Sequence, residues 1–185
     1  MKTLAPLLPF MPLLALLLWA AVVDVRHRLI RNWLTVSLMI GGMMQSCFAG
    51  GTVSPWMSLL GILTAIGLLI VPFALGAVGG GDLKLMAGIA AWVGPIPVIA
   101  IFLAEKVIGL GIVLVQATAA GRLRELFRNS AVLAVNIAHV RSLGVAHTQE
   151  TGRQFRSIDR PLPYAVPTLV ATALYLVYTS GGLSL

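Results

Sequence analysis

The sequence has few charged residues, and acidic residues are the scarcest of them. Only 10% of its 185 residues are charged and only 6 are Asp or Glu, whereas 58% are hydrophobic and the mean hydropathy is +0.96. Charged residues make up about 25% of an ordinary soluble domain, so this composition excludes one and indicates a polytopic membrane protein. Each acid near the hydrocarbon region then needs a reason, because an ionisable group there is costly and usually functional.

Cysteine and metal-ligand clusters are also lacking. The one cysteine, Cys47, lies in an apolar run and allows neither an intrachain disulfide nor a Cys-based metal site. His27, His139 and His147 lie in basic loops without metal-ligand spacing, which disfavours a zinc enzyme. We also disfavour a serine or cysteine hydrolase and expect no metal and no cofactor.

Six apolar runs predict an all-α membrane protein with about six transmembrane helices in one domain, 1–185. The predicted spans are residues 4–23, 33–49, 56–78, 83–93, 98–119 and 163–180. The first run also resembles a secretory signal, but it is longer than the usual apolar region of one. The fourth has only 11 residues, so its helix is expected to be short or to begin below the membrane surface.

The basic residues predict the orientation of these spans. Segments 24–32, 82–84 and 121–160 carry eleven Lys and Arg, whereas the loops 50–55 and 94–97 carry none. By the positive-inside rule, the basic segments are cytoplasmic and both termini lie outside, as for a multi-pass bacterial inner-membrane protein. The net charge of +7 is therefore not interpreted as nucleic-acid binding. In a five-span alternative, residues 83–93 enter the membrane and return to the same side. This arrangement would put Asp82 and the loop 121–160 on opposite sides of the membrane, or it would put the uncharged loops inside.

The cytoplasmic loop 121–160 contains a two-faced helical pattern. Over residues 121–141 a polar arc with Arg124 and Arg128 lies opposite an apolar arc that runs from Leu123 to Ala138. We predict an amphipathic helix in the inner leaflet between helices 5 and 6, with its arginines on anionic membrane lipids. Residues 144–159 are polar and show no periodicity.

Two acids are predicted to meet at the cytoplasmic face. Asp24 leaves the first span and Asp82 enters the fourth, directly after Gly79 to Gly81. Two carboxylates at close range hold one proton between them, which lets one act as general base on water and the other as general acid. In the alternative interpretation, Asp82 only caps a helix that begins at Leu83 in a polar surface turn.

A second polar pair, Glu105 and Lys106, lies within the fifth span. The two side chains are about 100° apart around the helix axis. In one interpretation they pair with polar groups inside the bundle, or Lys106 extends towards a surface. In the other they are modulators, and Lys106 lowers the pKa of one aspartate.

At these residues the chain resembles the type IV prepilin peptidase family of GxGD intramembrane aspartyl proteases. Gly79-Gly80-Gly81-Asp82-Leu83-Lys84 is similar to the family's Gly-x-Gly-Asp-x-Lys core. Asp24 to Asn32 resembles its first catalytic loop, with Arg31 in place of a proline, and residues 160–167 resemble the segment that enters its last helix.

The resemblance implies an aspartic endopeptidase that removes the basic leader from a prepilin or pseudopilin with a hydrophobic N-terminal helix. Asp24 and Asp82 would be catalytic. Gly79, Gly81, Lys84 and Asn32 would be motif or docking residues, and the glycine backbone would offer unpaired groups to an extended substrate.

The chain is similar to short members of the family. It has no Cys-x-x-Cys zinc ligands, so it resembles the peptidases of Flp, or tight-adherence, pilus systems without N-methyltransferase activity. Archaeal preflagellin peptidases are a close alternative. The presenilin group shares the Gly-x-Gly-Asp acid but has Tyr-Asp and Pro-Ala-Leu motifs that this sequence lacks.

Two non-peptidase functions remain as alternatives. In a proton-coupled transporter or channel, Asp24, Asp82, Glu105 and Lys106 would form a relay through the bundle. A non-catalytic pilus-assembly subunit is the other. Both aspartates are predicted at one membrane face, which suits cleavage there better than conduction.

Overall fold

The part of the chain that the computed structural model describes is helical. It comprises residues 5–27, 31–48, 51–75, 78–128, 131 and 163–182. Its main helices are α1 Met11–His27, α2 Asn32–Ser46, α3 Pro55–Ala74, α4 Gly80–Val93, α5 Pro95–Ala119 and α6 Ala165–Val177. A 3-10 turn, Ala5–Phe10, precedes α1, and a π turn, Tyr178–Gly182, follows α6. The prediction of an all-α fold is confirmed for these residues.

Three helical stretches are long and apolar enough to cross a membrane. They are Pro6–His27, Pro55–Ala74 and Pro95–Ala119. Each of the six predicted spans overlaps one of the main helices, although α2, α4 and α6 have only 15, 14 and 13 residues. The number of membrane crossings stays a prediction.

Helix α4 forms the centre of the bundle. All nine of its residues from Leu85 to Val93 are buried, and it packs mainly against α2 and α3. The close packing depends on small residues, because a Cβ on Gly61 of α3 would overlap the Ala90 carbonyl group of α4. The expected short fourth helix is confirmed, and its length follows from this enclosed position.

Three side-chain hydrogen bonds to backbone carbonyls fix α4 against its neighbours. The Ser58 hydroxyl donates to the Ala91 carbonyl at 2.8 Å, and the Trp92 indole N–H donates to the Leu38 carbonyl at 2.9 Å. The Thr52 hydroxyl donates to the Trp92 carbonyl at 2.6 Å. These bonds satisfy polar groups that have no access to water and thereby fix the position of α4 along its axis.

The joint between α4 and α5 is a single residue. Gly94 has φ +85°, which glycine adopts without steric cost, and Pro95 is already the first residue of α5. The predicted interruption over 94–97 was therefore wrong beyond Gly94. Proline at a helix N-terminus loses no intrahelical hydrogen bond, so these prolines start α5 instead of breaking it.

Two helix boundaries near the acids also differ from the prediction. Helix α1 continues to His27, so Asp24 lies within its last turns and not in a loop. Helix α4 begins at Gly80 and not at Leu83, so the glycines form its first turn. Both acids are consequently held on helices.

Helix α6 brings the end of the chain back to the first and fifth helices. It packs against α5 and α1. Its buried Thr168 and Thr172 hydroxyls donate to the carbonyls of Tyr164 and Thr168, four residues earlier, so neither hydroxyl needs a partner across the bundle. This packing leaves the N-terminus of α6 beside the end of α1.

Only the beginning of the predicted amphipathic helix is described. Residues 123–128 are helical, with Leu123 and Leu126 half-buried and Arg124 and Arg128 exposed. The rest of that helix and the segment 144–159 lie outside the described residues, so both predictions stay untested.

Candidate active site

Asp24 is bound by the N-terminus of α6. Its carboxylate is buried, with 6% of the residue exposed, and its Oδ2 accepts a hydrogen bond of 2.9 Å from the Ala165 backbone N–H. Ala165 is the first residue of α6, and amides at a helix N-terminus have no acceptor within the helix. Such an end suits an anion, so α6 supplies a ready partner for the carboxylate.

Asp82 lies in the first turn of α4, just before the predicted span 83–93. It is half-buried, and its Oδ2 accepts a hydrogen bond of 3.2 Å from the Gly79 N–H. Burial raises the pKa of Asp82 to about 6, and the Gly79 hydrogen bond opposes this change. Asp82 does cap its helix, but from the third helical position and not at the start of a helix at Leu83.

The charges that act on Asp82 come from two other helices. Asp24 of α1 and Glu105 of α5 are close enough to raise its pKa further, and Lys106 of α5 lowers it. Three of the predicted site residues, two acids and one base, thus lie close enough to Asp82 for their charges to change its pKa.

Lys84 and Asn32 join the starts of α4 and α2. The Lys84 ammonium donates to the Asn32 side-chain oxygen at 3.0 Å, and both residues are exposed. Lys84 belongs to the glycine motif, residues 79–84, and Asn32 is the last residue of the first acidic motif, residues 24–32. The two residues are 52 positions apart in the chain. The contact therefore ties the two motifs together beside the acids.

The glycine backbone offers fewer free groups than expected. The Gly79 N–H is bound to Asp82, and the Gly79 carbonyl accepts from the Asp82 N–H at 3.1 Å and the Leu83 N–H at 3.3 Å. Gly79 is thus unsuited to bind an extended substrate through its backbone. The amides of Gly80 and Gly81 lie in the first helical turn, where no intrahelical acceptor exists.

Glu105 and Lys106 form an ion pair with each other, and 38% of the Lys106 side chain is exposed. The prediction of pairing with polar groups inside the bundle did not identify this partner, and the role as pKa modulators stays a prediction. Glu105 is 1% exposed, and its Oε1 lies 3.1 Å from the Lys106 Nζ. The same Nζ lies 4.4 Å from the centroid of the Tyr164 ring and 4.8 Å from that of Phe102. Within the described residues, the Glu105 Oε2 and the Tyr164 hydroxyl are buried without a hydrogen-bond partner.

Two functional contacts were missed by sequence reasoning. The Ala165 amide leaves no signal in a sequence, because every non-proline residue has one. Tyr164 lies in the segment 160–167 that resembles the family's entry to its last helix, and its aromatic side chain next to a predicted helix start was the available signal.

A hollow opens on the surface formed by α1 and α6. Its volume is about 270 Å³, and it is lined by Ala21, Val22, Val25, Arg26 and Val166. A larger groove of about 450 Å³ continues along α1, where Trp19 and Leu18 line it and Arg26 and His27 form its basic end. The two depressions share Val22 and Arg26 and run along the outer face of α1.

Comparison with known proteins identifies the family. The sequence profile of the Type IV leader peptidase family matches residues 11–114, more than half of the chain. The matched region runs from the first residue of α1 into α5 and includes Asp24, Asp82, Glu105 and Lys106. No curated protein and no solved structure matches the chain. The chain belongs to the Type IV leader peptidase family, a family of aspartic-type peptidases, as its two acidic motifs predicted.

Proposed function

We propose that this peptidase removes the basic leader from prepilin-like substrates of the Flp type at the cytoplasmic face of the inner membrane. The observation that carries the proposal is that, in a chain of the leader peptidase family, buried Asp24 of α1 lies close enough to Asp82 of α4 for its charge to raise the pKa of Asp82. We infer peptidase activity without N-methyltransferase activity, since the sequence has a single cysteine and no Cys-x-x-Cys ligands.

The two aspartates take different roles. Asp24 is the general base, because its carboxylate accepts a hydrogen bond at a helix N-terminus, where an anion is favoured. Asp82 is the general acid, because burial raises its pKa to about 6 and so favours the protonated form. No nucleophilic side chain takes part.

The reaction follows from these roles. Asp24 takes a proton from water as the water oxygen attacks the scissile carbonyl carbon, and Asp82 gives its proton to the carbonyl oxygen. The resulting diol returns one hydroxyl proton to Asp82 as the C–N bond breaks, while the proton on Asp24 passes to the leaving nitrogen. Both carboxyl groups then have their starting protonation states, so the pair is ready for another water.

The substrate reaches this site along α1. The apolar groove beside Trp19 and Leu18 suits a hydrophobic helix, and it leads to the hollow between α1 and α6. The scissile segment unwinds there and takes hydrogen bonds from the first-turn amides of Gly80 and Gly81. The contact between Lys84 and Asn32 holds the two motifs in register around it.

The basic residues after α5 hold the peptidase on anionic lipids. Exposed Arg124 and Arg128 follow α5 on the side proposed to be cytoplasmic. Each basic side chain near an anionic surface contributes about 1 kcal/mol to binding. The same lipids attract the basic leader of the substrate, so enzyme and substrate meet at one surface although both are positively charged.

Single isosteric substitutions of the two acids test the proposal. Asp24→Asn and Asp82→Asn retain an oxygen that can accept the Ala165 and Gly79 amide hydrogens, so the fold is expected to persist while acid–base catalysis is lost. Cleavage of a co-expressed Flp-type prepilin is expected to fall to background for both variants at unchanged abundance. Glu125→Gln, which neutralises an exposed acid beyond α5, is the matched control and should cleave normally.

Two outcomes would contradict the proposal. Cleavage well above background by either Asn variant would exclude the two-aspartate mechanism. An uncut prepilin with the intact protein would exclude this substrate class and favour the transporter or assembly-subunit alternatives.

A further inference from the structure

The Lys106 ammonium is held from three sides. The Glu105 carboxylate lies 3.1 Å from it, and the rings of Tyr164 and Phe102 lie 4.4 Å and 4.8 Å from it at their centroids. A cation over the face of an aromatic ring is attracted to it, and more strongly where water is excluded. Glu105 and Phe102 belong to α5, so Tyr164 is the contact that links Lys106 to another element.

This link leads directly to Asp24. Tyr164 immediately precedes Ala165, whose N–H donates to Asp24 at 2.9 Å. Pro163 is followed within two residues by the start of α6. Holding the Tyr164 ring against Lys106 therefore fixes the position of the amide that binds Asp24.

Lys106 also balances the charge around Asp82. The charged groups that act on Asp82 from neighbouring helices are Asp24 of α1 and the Glu105–Lys106 pair of α5. Lys84, on the same helix as Asp82, is bound to Asn32, and Tyr164 adds a neutral ring before α6. Helices α2 and α3 pack against α4 but contain no Asp, Glu, His, Lys or Arg. Among the described groups on other helices whose charges act on Asp82, Lys106 is thus the cation, and it offsets Asp24 and Glu105.

We propose that Lys106 is a positioning residue of the aspartate pair: paired with Glu105, it holds Tyr164 so that the Ala165 amide orients Asp24, and its charge offsets the acids around Asp82. The proposal rests on the peptidase function proposed above. It assigns a role in catalysis to a side chain outside both acidic motifs.

If the charge role is correct, removing the Glu105 charge and removing the Lys106 charge shift the pH at which Asp82 loses its proton in opposite directions. Glu105→Gln removes an acid near Asp82 and leaves Lys106 unbalanced, so Asp82 loses its proton at lower pH. When Lys106→Met is added to Glu105→Gln, the cation is removed as well. Asp82 then loses its proton at higher pH than in Glu105→Gln alone. The Glu105→Gln background is needed, because Lys106→Met alone would leave a buried and unpaired charge at Glu105.

The experiment measures prepilin cleavage against pH with full-length protein purified in detergent micelles. The basic limb of the kcat/KM profile is expected to move down by about half a pH unit in Glu105→Gln and back up by a similar amount in Glu105→Gln with Lys106→Met, at the low end of the effect of one nearby charge. The double variant Glu105→Gln with Lys106→Arg keeps a cation at position 106. Its basic limb should therefore lie at the same pH as that of Glu105→Gln alone.

The positioning role is tested at Tyr164. Tyr164→Leu removes the ring that Lys106 contacts and is expected to lower kcat roughly fivefold with little change in KM, since Tyr164 does not touch the substrate. Tyr164→Phe keeps the ring and should restore most of the rate. Tyr178→Leu removes an exposed ring from the end of the same helix and is expected to leave kcat unchanged.

The outcomes separate this inference from the proposed function. One outcome is that cleavage is lost in Asp24→Asn and Asp82→Asn, but the basic limb lies at the same pH in all Glu105 and Lys106 variants. This outcome would overturn the charge role of Lys106 and leave the peptidase mechanism intact. A kcat that falls equally in Tyr164→Leu and Tyr164→Phe would overturn the positioning role. Retained cleavage in the Asn variants would instead overturn the proposed function.

Discussion

At the scale of single residues, the two acids of the site differ in their surroundings. Asp24 is bound by the first amide of α6, whereas Asp82 is bound by Gly79 within its own helix start and is influenced by three charged side chains from other helices. Burial dominates at Asp82 and raises its pKa to about 6. An acid that keeps its proton up to about pH 6 suits the donor of the pair.

This difference predicts how activity depends on pH. Because the pKa of Asp82 is raised to about 6, the protonated acid persists up to that pH and is lost above it. The kcat/KM of prepilin cleavage, which reports the free enzyme, is therefore expected to decline as pH rises through about 6. The decline in kcat should come at higher pH, since bound substrate displaces water and buries the acid further. A kcat/KM that instead kept rising up to about pH 8 would show that Asp82 does not act as the acid.

Sequence reasoning found the acids at this scale but not what holds them. Asp24 and Asp82 stand out because acids are scarce in an apolar chain and because glycines precede one of them. The Ala165 amide belongs to the backbone, and the ring of Tyr164 comes near Lys106 only when α6 packs against α5. Contacts between residues so far apart in sequence depend on packing, which one sequence without tertiary context does not specify.

At the scale of helices, the fold depends on how closely α3 approaches α4. Gly61 lies against the Ala90 carbonyl and the Gly94 Cα, whereas Gly67, six residues later on the same helix, is exposed with no heavy atom within 4 Å of the position that a Cβ would take. The sequence shows both glycines but does not distinguish their roles. Only the neighbouring helix distinguishes a contact glycine from a lipid-facing one.

These two glycines form a matched pair for a stability test. Gly61→Ala is expected to push α3 away from α4 and to lower the free energy of unfolding by about 1–3 kcal/mol, the usual cost of overpacking. Gly67→Ala should be neutral or slightly stabilising, because alanine favours the helix more than glycine does. Thermal unfolding in detergent measures both. Equal melting temperatures for the two variants would contradict the close packing at Gly61.

At the scale of the whole molecule, the apolar pattern predicted the helices better than their ends. All six predicted spans overlap a main helix, but α1 runs past Asp24 to His27, α4 starts at Gly80, and α5 starts directly after Gly94. Each error came from a local signal that the bundle outweighs. Charged residues suggested a loop after Val23, and two prolines suggested an interruption that in fact starts a helix. Membrane orientation rests on charge alone and needs a direct measurement.

The single cysteine makes that measurement simple. Cys47 is exposed at the end of α2, next to the uncharged segment 50–55 that is predicted to lie outside. Arg124 is exposed beyond α5, in the loop predicted to be cytoplasmic. In bacterial spheroplasts, a membrane-impermeant thiol reagent is therefore expected to label Cys47 directly. With Cys47→Ser and Arg124→Cys combined, labelling is expected only after the membrane is permeabilised.

The second variant distinguishes the two topologies. With six spans, α4 crosses the membrane and the arginine-rich loop lies on the same face as Asp24 and Asp82. With five spans, α4 returns to the side on which it entered, α5 then crosses outward, and a cysteine at position 124 is labelled in intact spheroplasts. Unassisted labelling at position 124 would exclude six spans. It would also place the lipid-binding arginines and the two aspartates on opposite sides of the membrane. The cytoplasmic surface on which enzyme and substrate are proposed to meet therefore requires that a cysteine at position 124 is not labelled in intact spheroplasts.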